Sequence, residues 1–218
     1  MKKIVFVLVI TMFLDCKTEQ QLPKNFDYGS IENAVYSNDY FKMRVPFDDS
    51  WFAKSQEDME DTAKAGRALI KSDSYKDVLE ASKINNAYLF TLNQYGPDEL
   101  IAYNPSLSIV AENTAMYPEV TRGRAYLEEV QNVLNQMTIN YEFDMVDEEF
   151  MMGKHRFYAM DIYVDYLGLD IKQRYYTTIS KGFSLSIILS YTTGEQLAKL
   201  ESMLHSIVFS EGISKKKS

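Results

Sequence analysis

The stretch from His155 to Tyr191 limits the possible folds more than any other part of the chain. Residues 155–166 (HRFYAMDIYVDY) alternate apolar and polar, and so do residues 171–180 (IKQRYYTTIS). From Phe183 the apolar Leu185, Ile187 and Leu189 alternate with Ser184, Ser186 and Ser190. A period of two puts successive side chains on opposite faces of a strand. Gly168 and Lys181-Gly182 sit where these runs end, so three strands joined by short turns form an antiparallel meander. Tyr141–Val146 reads as a further strand, with Asp147-Glu148-Glu149 as its polar continuation.

Upstream, Phe41, Met43 and Val45 alternate with Lys42 and Arg44 up to Pro46, which ends a half-buried strand. Residues 87–94 and 107–113 read as two more strands. Ser55 with Asp58 predicts a helix start, and Met59, Ala63, Gly66 and Ile70 share one face of that helix. A second short helix is expected from Ser74. Thr121 is expected to cap a longer helix with the stripe Tyr126, Val130, Val133, Leu134 and Met137. Thr193 with Gln196 opens the last helix, whose stripe is Leu197, Leu200, Met203, Leu204 and Ile207. Long amphipathic helices beside a mostly antiparallel sheet predict an α/β sandwich, with the helices packed on the sheet.

The beginning of the chain carries an address. Met1-Lys2-Lys3 precedes an apolar run, residues 4–14, which is too short to span a bilayer and ends near the only cysteine, Cys16. This predicts a lipoprotein-type signal peptide over residues 1–15 and lipidation of Cys16. Asp15 departs from the small residue usual before such a cysteine. Residues 16–33 are expected to form a flexible tether, residues 34–211 the folded domain, and residues 212–218 a basic disordered tail. Acyl chains bury enough methylenes to hold a protein at a membrane without a spanning helix. The expected location is the cell envelope, facing the periplasm or the cell exterior.

The chain has 218 residues and a net charge of −8. An acidic exported domain is a poor ligand for nucleic acid, whose phosphates need basic patches. With Cys16 acylated no cysteine would remain for an intrachain disulfide, so the core must hold the fold.

Residues 172–187 (KQRYYTTISKGFSLSI) resemble a strand pair of the PsbP-like superfamily. Residues 195–209 resemble its closing helix and strand, and Tyr40–Pro46 with Trp51 its opening strand. The resemblance covers residues 34–210 in order. It implies an α/β/α sandwich around an antiparallel sheet, and adaptor or binding roles in preference to enzymatic ones. No cofactor is implied.

Candidate chemistry is sparse. His155 and His205 stand without a zinc motif, and no G-x-S-x-G elbow is present. Glu142, Asp144 and Asp147 offer oxygen ligands for a hard cation but lack calcium-loop spacing, and a solvated strand end explains them as well. Asp161 and Asp165 share a strand face and invite a paired-carboxylate reading. Tyr163, Tyr166, Tyr175 and Tyr176 on neighbouring strands are the candidate partner contacts, unless helices cover them. The sequence therefore predicts a membrane-tethered, non-enzymatic binding or assembly protein with an envelope protein partner. The alternative is a metal-dependent or hydrolytic enzyme or sensor built on scattered carboxylates.

Overall fold

The computed structural model describes residues 22–67, 86–115 and 117–210. In chain order the elements are β1 (Ser30–Glu32), β2 (Val35–Asn38), β3 (Met43–Pro46), β4 (Phe52–Ala53) and α1 (Gln56–Arg67). Next come β5 (Asn86–Asn93), β6 (Ser106–Asn113), α2 (Gly123–Leu134), β7 (Glu142–Met152) and β8 (His155–Tyr166). β9 (Leu169–Ser180), β10 (Phe183–Tyr191), α3 (Gly194–Ser206) and β11 (Val208–Phe209) complete the order. Cys16, the helix expected from Ser74, the end of the first helix at Ile70 and the tail 212–218 lie outside the described residues.

Seven strands form one sheet in the order β4-β5-β6-β10-β9-β8-β7, and four form a second, β1-β2-β3-β11. Every pairing among the described residues is antiparallel. The meander expected from the alternation is the β8–β9–β10 centre of the large sheet. Leu167-Gly168 and Lys181-Gly182 make its two-residue turns, with positive φ at all four positions, the geometry that matches the twist of a tight hairpin. β7 is longer than expected: its acidic continuation pairs with β8 as well. The register slips between Val146 and Glu149, so Asp147 and Glu148 form a bulge.

The alternation decides what lies on each face. Phe157 and Ala159 of β8, Tyr176 of β9 and Leu185, Ile187 and Leu189 of β10 join Leu200 and Leu204 of α3 in one core. Tyr36, Met43 and Val45 of the small sheet belong to the same core. The other face turns Met160 and Ile162 toward Leu127 of α2. The architecture is thus an α/β/α sandwich, with the small sheet sharing one outer layer with α3.

The helix starts differ in how they are capped. The Thr193 hydroxyl accepts from the Gln196 N–H, and the Gln196 side chain accepts from the Thr193 N–H, completing a capping box on α3. At α1, Ser55 and Asp58 exchange the equivalent bonds. Thr121 does not cap α2. Arg122 occupies that position, with no side-chain cap. Gly123 explains the difference. A Cβ there would lie 2.0 Å from the Thr177 carbonyl oxygen, so the helix starts pressed against β9.

The tether expected to reach residue 33 meets the core earlier. Leu22 and Phe26 pack against it. The Phe26 ring lies 5.2 Å from Phe183 and 5.1 Å from Tyr40. Residues 30–32 pair with β2. Their polar composition hides this, because the anchoring rests on two isolated apolar side chains.

Candidate functional site

Where β7 starts, β8 turns into β9 and β10 ends, four connections meet at one end of the large sheet. Residues 94–105 join β5 to β6, and residues 135–141 join α2 to β7. Leu167-Gly168 join β8 to β9, and Thr192-Thr193 lead into α3. Tyr163, Tyr166 and Glu142 come together here, with Ile139, Asn140 and Asp165, around a hollow of about 500 Å³. Burial, then Asp161 and Asp144, raise the Tyr163 hydroxyl above its ordinary pKa. The hydroxyl is therefore a neutral donor at any physiological pH.

Tyr175 and Tyr176 are not part of this surface. Adjacent residues on a strand face opposite ways. Tyr176 is 3% exposed in the apolar core, and its ring meets Phe150 edge-on at 5.1 Å. Tyr175 packs on the α2 side against Leu127, Met160 and Ile162, and burial pushes its hydroxyl up to about 12. Sequence reasoning grouped four rings. The structure brings two of them together and uses the other two as packing.

What the sequence reading missed lies beside Tyr163 and Tyr166. Leu100 is fully exposed at the tip of the 94–105 loop, and Leu167 is 86% exposed at the β8–β9 turn. Ile101 and Tyr166 are exposed next to them. The loop is held at its base. Asn104 Nδ2 donates to the Tyr95 carbonyl at 2.8 Å, and the Tyr95 N–H donates to Asn104 Oδ1 at 3.0 Å. Tyr103 and Ser190 share a hydrogen bond through their hydroxyls. The exposed apolar side chains therefore ride on fixed backbone. No periodic pattern announces them, and only the register shows that two distant loops share one end.

The carboxylate candidates separate. Asp161 and Asp165 do face the same way, but four strand residues span about 13 Å. Asp161 is instead locked by Arg174, whose Nε and Nη2 donate to its two oxygens at 2.6 Å each. Glu201 of α3 approaches the same guanidinium at 3.7 Å. The hydrogen bond to Asp161 raises the Arg174 pKa further, so the guanidinium stays charged. Glu142 and Asp144 share a face of β7, while Asp147 sits in the bulge, 3.6 Å from Arg124. Among the described residues no group of three or more His, Cys, Asp or Glu is placed to hold a metal ion. No described helix is long and apolar enough to cross a membrane.

A second cleft, of about 540 Å³, opens between the β1–β2 hairpin, α1 and β5. Its floor is the Tyr36 ring stacked on Phe90 at 4.7 Å, with Met59 and Leu89, and its rim carries Lys54, Gln56 and Glu60. The Tyr36 hydroxyl donates to the Tyr28 carbonyl at 2.8 Å. Gly29 (φ +84°) lies so close to that ring that a Cβ would meet it at 2.4 Å. This lining is apolar with a polar edge.

No protein-family model matches the chain. No curated protein sequence matches it either. Solved structures similar to it include cyanobacterial PsbP (CyanoP) from Synechocystis, at 12% identity and a TM-score of 0.43, over 84% of this chain and 98% of that one. Another is LpqN of Mycobacterium tuberculosis, involved in cell envelope biogenesis, at 10% identity and a TM-score of 0.38, over 78% of this chain and 83% of that one. A Pseudomonas aeruginosa protein of unknown function is similar at 14% identity and a TM-score of 0.40, over 56% of this chain and 83% of its own.

Proposed function

We propose that this chain is an exported, membrane-tethered binding or assembly protein that docks a protein partner on the loop end of its large sheet. The observation that carries this reading is the pairing of apolar tips with one sign of charge. Residues 94–105, 135–142, 163–170 and 191–195 contain six acidic residues (Asp98, Glu99, Glu142, Asp165, Asp170 and Glu195) and no Lys or Arg. Lysines farther along the same elements reach two of them: Lys172 of β9 to Asp170 at 3.6 Å and Lys199 of α3 to Glu195 at 3.2 Å. Leu100, Ile101, Tyr166 and Leu167 stand exposed within this acidic ring.

The 94–105 loop and the β8–β9 turn are separated by about three strand spacings, roughly 14 Å. That span suits a small protein interface with two apolar anchors and a charged rim. A complementary partner offers apolar seats inside a basic rim. Charge of this kind speeds and selects encounter more than it adds affinity. The test uses the native, membrane-extracted protein and its L100S/L167S variant, captured in parallel and read by mass spectrometry. A lipidated Cys16 peptide, and an envelope protein held by the wild type but released by the variant, are expected. An unmodified Cys16 removes the tether. The same companions on both proteins remove the docking surface.

A further inference from the structure

The opposite end of the large sheet has the reverse character. Gly153-Lys154 turns β7 into β8 there, and Lys181-Gly182 turns β9 into β10. Lys181 Nζ donates to the Tyr40 carbonyl and lies 4.8 Å above the Tyr40 ring, which ties the β2–β3 connection to the same place. Phe26 packs on Tyr40 and Phe183, so Lys24 enters beside them. The Ser210 N–H donates to the Lys42 carbonyl at 2.8 Å. Lys24, Lys42, Lys154 and Lys181 are all exposed. The half-buried His155 registers their field. Burial lowers its pKa first, and Lys154 and Lys181 lower it further. Among the described residues the acids at this end are Asp39, 3.7 Å from Lys42; Asp27, which accepts the N–H groups of Gly29 and Asp39; and exposed Glu119, which with Arg122 lies on the β6–α2 connection held to the Lys181-Gly182 turn by the Thr114 N–H donating to the Gly182 carbonyl at 3.0 Å.

We infer that this basic end rests on an anionic phospholipid surface and so points the acidic end away from the bilayer. Two observations select a bilayer as the occupant. The charge is complementary to phosphate headgroups, and lysines near such a surface are each worth about five-fold in partitioning. The chain also joins the fold here at both sides: residues 16–21 precede Leu22, and Lys215–Lys217 follow Ser210. Six extended residues reach about 20 Å, so a lipid on Cys16 would hold this end, not the other, against the membrane. The inference rests on the tether reading for its setting, but the contact itself needs no lipid.

The chain from residue 16 onward, with Cys16→Ser so that no acyl chain contributes, keeps the whole described core of residues 22–210. Its sedimentation with phosphatidylglycerol-containing vesicles is compared with phosphatidylcholine-only vesicles, at low and high salt. Expected is binding to the anionic vesicles alone, weakened by salt, and weakened at least ten-fold by K42E/K154E. D98K/E99K at the far end should not weaken it, and thermal melts should show both variants folded. Binding to neither vesicle or equally to both overturns the inference. So does binding unchanged in K42E/K154E, including the case where only removal of Lys215–Lys217 abolishes it. The L100S/L167S capture experiment probes the other end, so either proposal can fail alone.

Discussion

On one face of the large sheet Leu107, Ile109, Leu185, Ile187 and Leu189 are wholly buried beneath α3 and the small sheet. On the other face the same strands present Ser108, Ser184, Ser186 and Ser190, with Thr177 from β9. Four of these five hydroxyl residues are also buried. The first face gains from removing apolar area from water, at about 25 cal/mol per Å². The second must pair every hydroxyl it buries. Thr177 and Ser186 bond each other at 2.8 Å, Thr91 bonds Ser108 at 3.1 Å, and Gln173 bonds Ser190 at 3.2 Å. Small side chains also let α2 approach closely at Gly123. The apolar face therefore supplies most of the stability, while the hydroxyl face fixes which helix lies there and how near.

This contrast breaks most sharply at Ile187. Ile187→Ala opens a cavity beneath α3 and should cost on the order of 3 kcal/mol, read as a drop in the urea midpoint with the slope unchanged. A loss below about 1 kcal/mol would mean that the face is loosely packed. Gly123→Ala attacks the other side by overpacking and should cost about 2 kcal/mol. A variant as stable as the wild type would show that α2 does not press on β9.

Subtler changes sharpen the difference. Thr177→Val strands the Ser186 hydroxyl and should cost about 1 kcal/mol, while the double variant T177V/S186A should cost less than the sum of the two single changes. Additive losses in a double-mutant cycle would contradict a shared bond.

Glu112 adds a titrating group to the hydroxyl face. Burial raises its pKa above the ordinary 4.5, although Tyr126 donates to it at 2.7 Å and partly offsets the shift. The fold thus binds its proton more tightly than the unfolded chain does. Its contribution is fully present below pH 4.5 and is lost as pH rises through the higher folded value. E112Q should flatten stability against pH in that window and raise the midpoint at pH 7. An unchanged pH profile would place the carboxylate in water. The smallest expected effect is at Leu167, exposed with φ +54°, which touches neither face. L167N relieves the left-handed strain and should gain about 0.5 kcal/mol.

Much of the apolar face was legible in the sequence. The alternation of β10 placed Leu185, Ile187 and Leu189 on one face, and the Thr193–Gln196 box marked the start of α3. The hydroxyl face was harder to read. Gly123, Leu127, Val130 and Leu134 repeat at helical spacing and form the packed stripe of α2. Counting from Tyr126 caught Val130 and Leu134 but missed Gly123 and Leu127, because Gly123 looks like a terminator and not like a contact. Met137 lies beyond the helix end. Tyr175 and Tyr176 could have been separated by parity alone. The end-to-end charge difference could not, because sequence does not show which loops share an end until the register is known.

The bulge at Asp147-Glu148 has a consequence for crowding. Among the described residues β7 is the outermost strand of the large sheet, and no other described strand pairs with the far side of its eleven residues. A straight edge of that length is a template on which a second copy can add its own edge, and then a third. Here the ladder slips halfway along, and Asp147, Glu148 and Glu149 place three like charges at the slip. Arg124 and Arg156 approach Asp147 and Glu149 from this chain's own α2 and β8, at 3.6 and 3.2 Å. Two such edges brought together would match register over only a few residues before carboxylates met carboxylates. Copies can then be packed densely side by side and remain separate molecules, not the first units of a fibre.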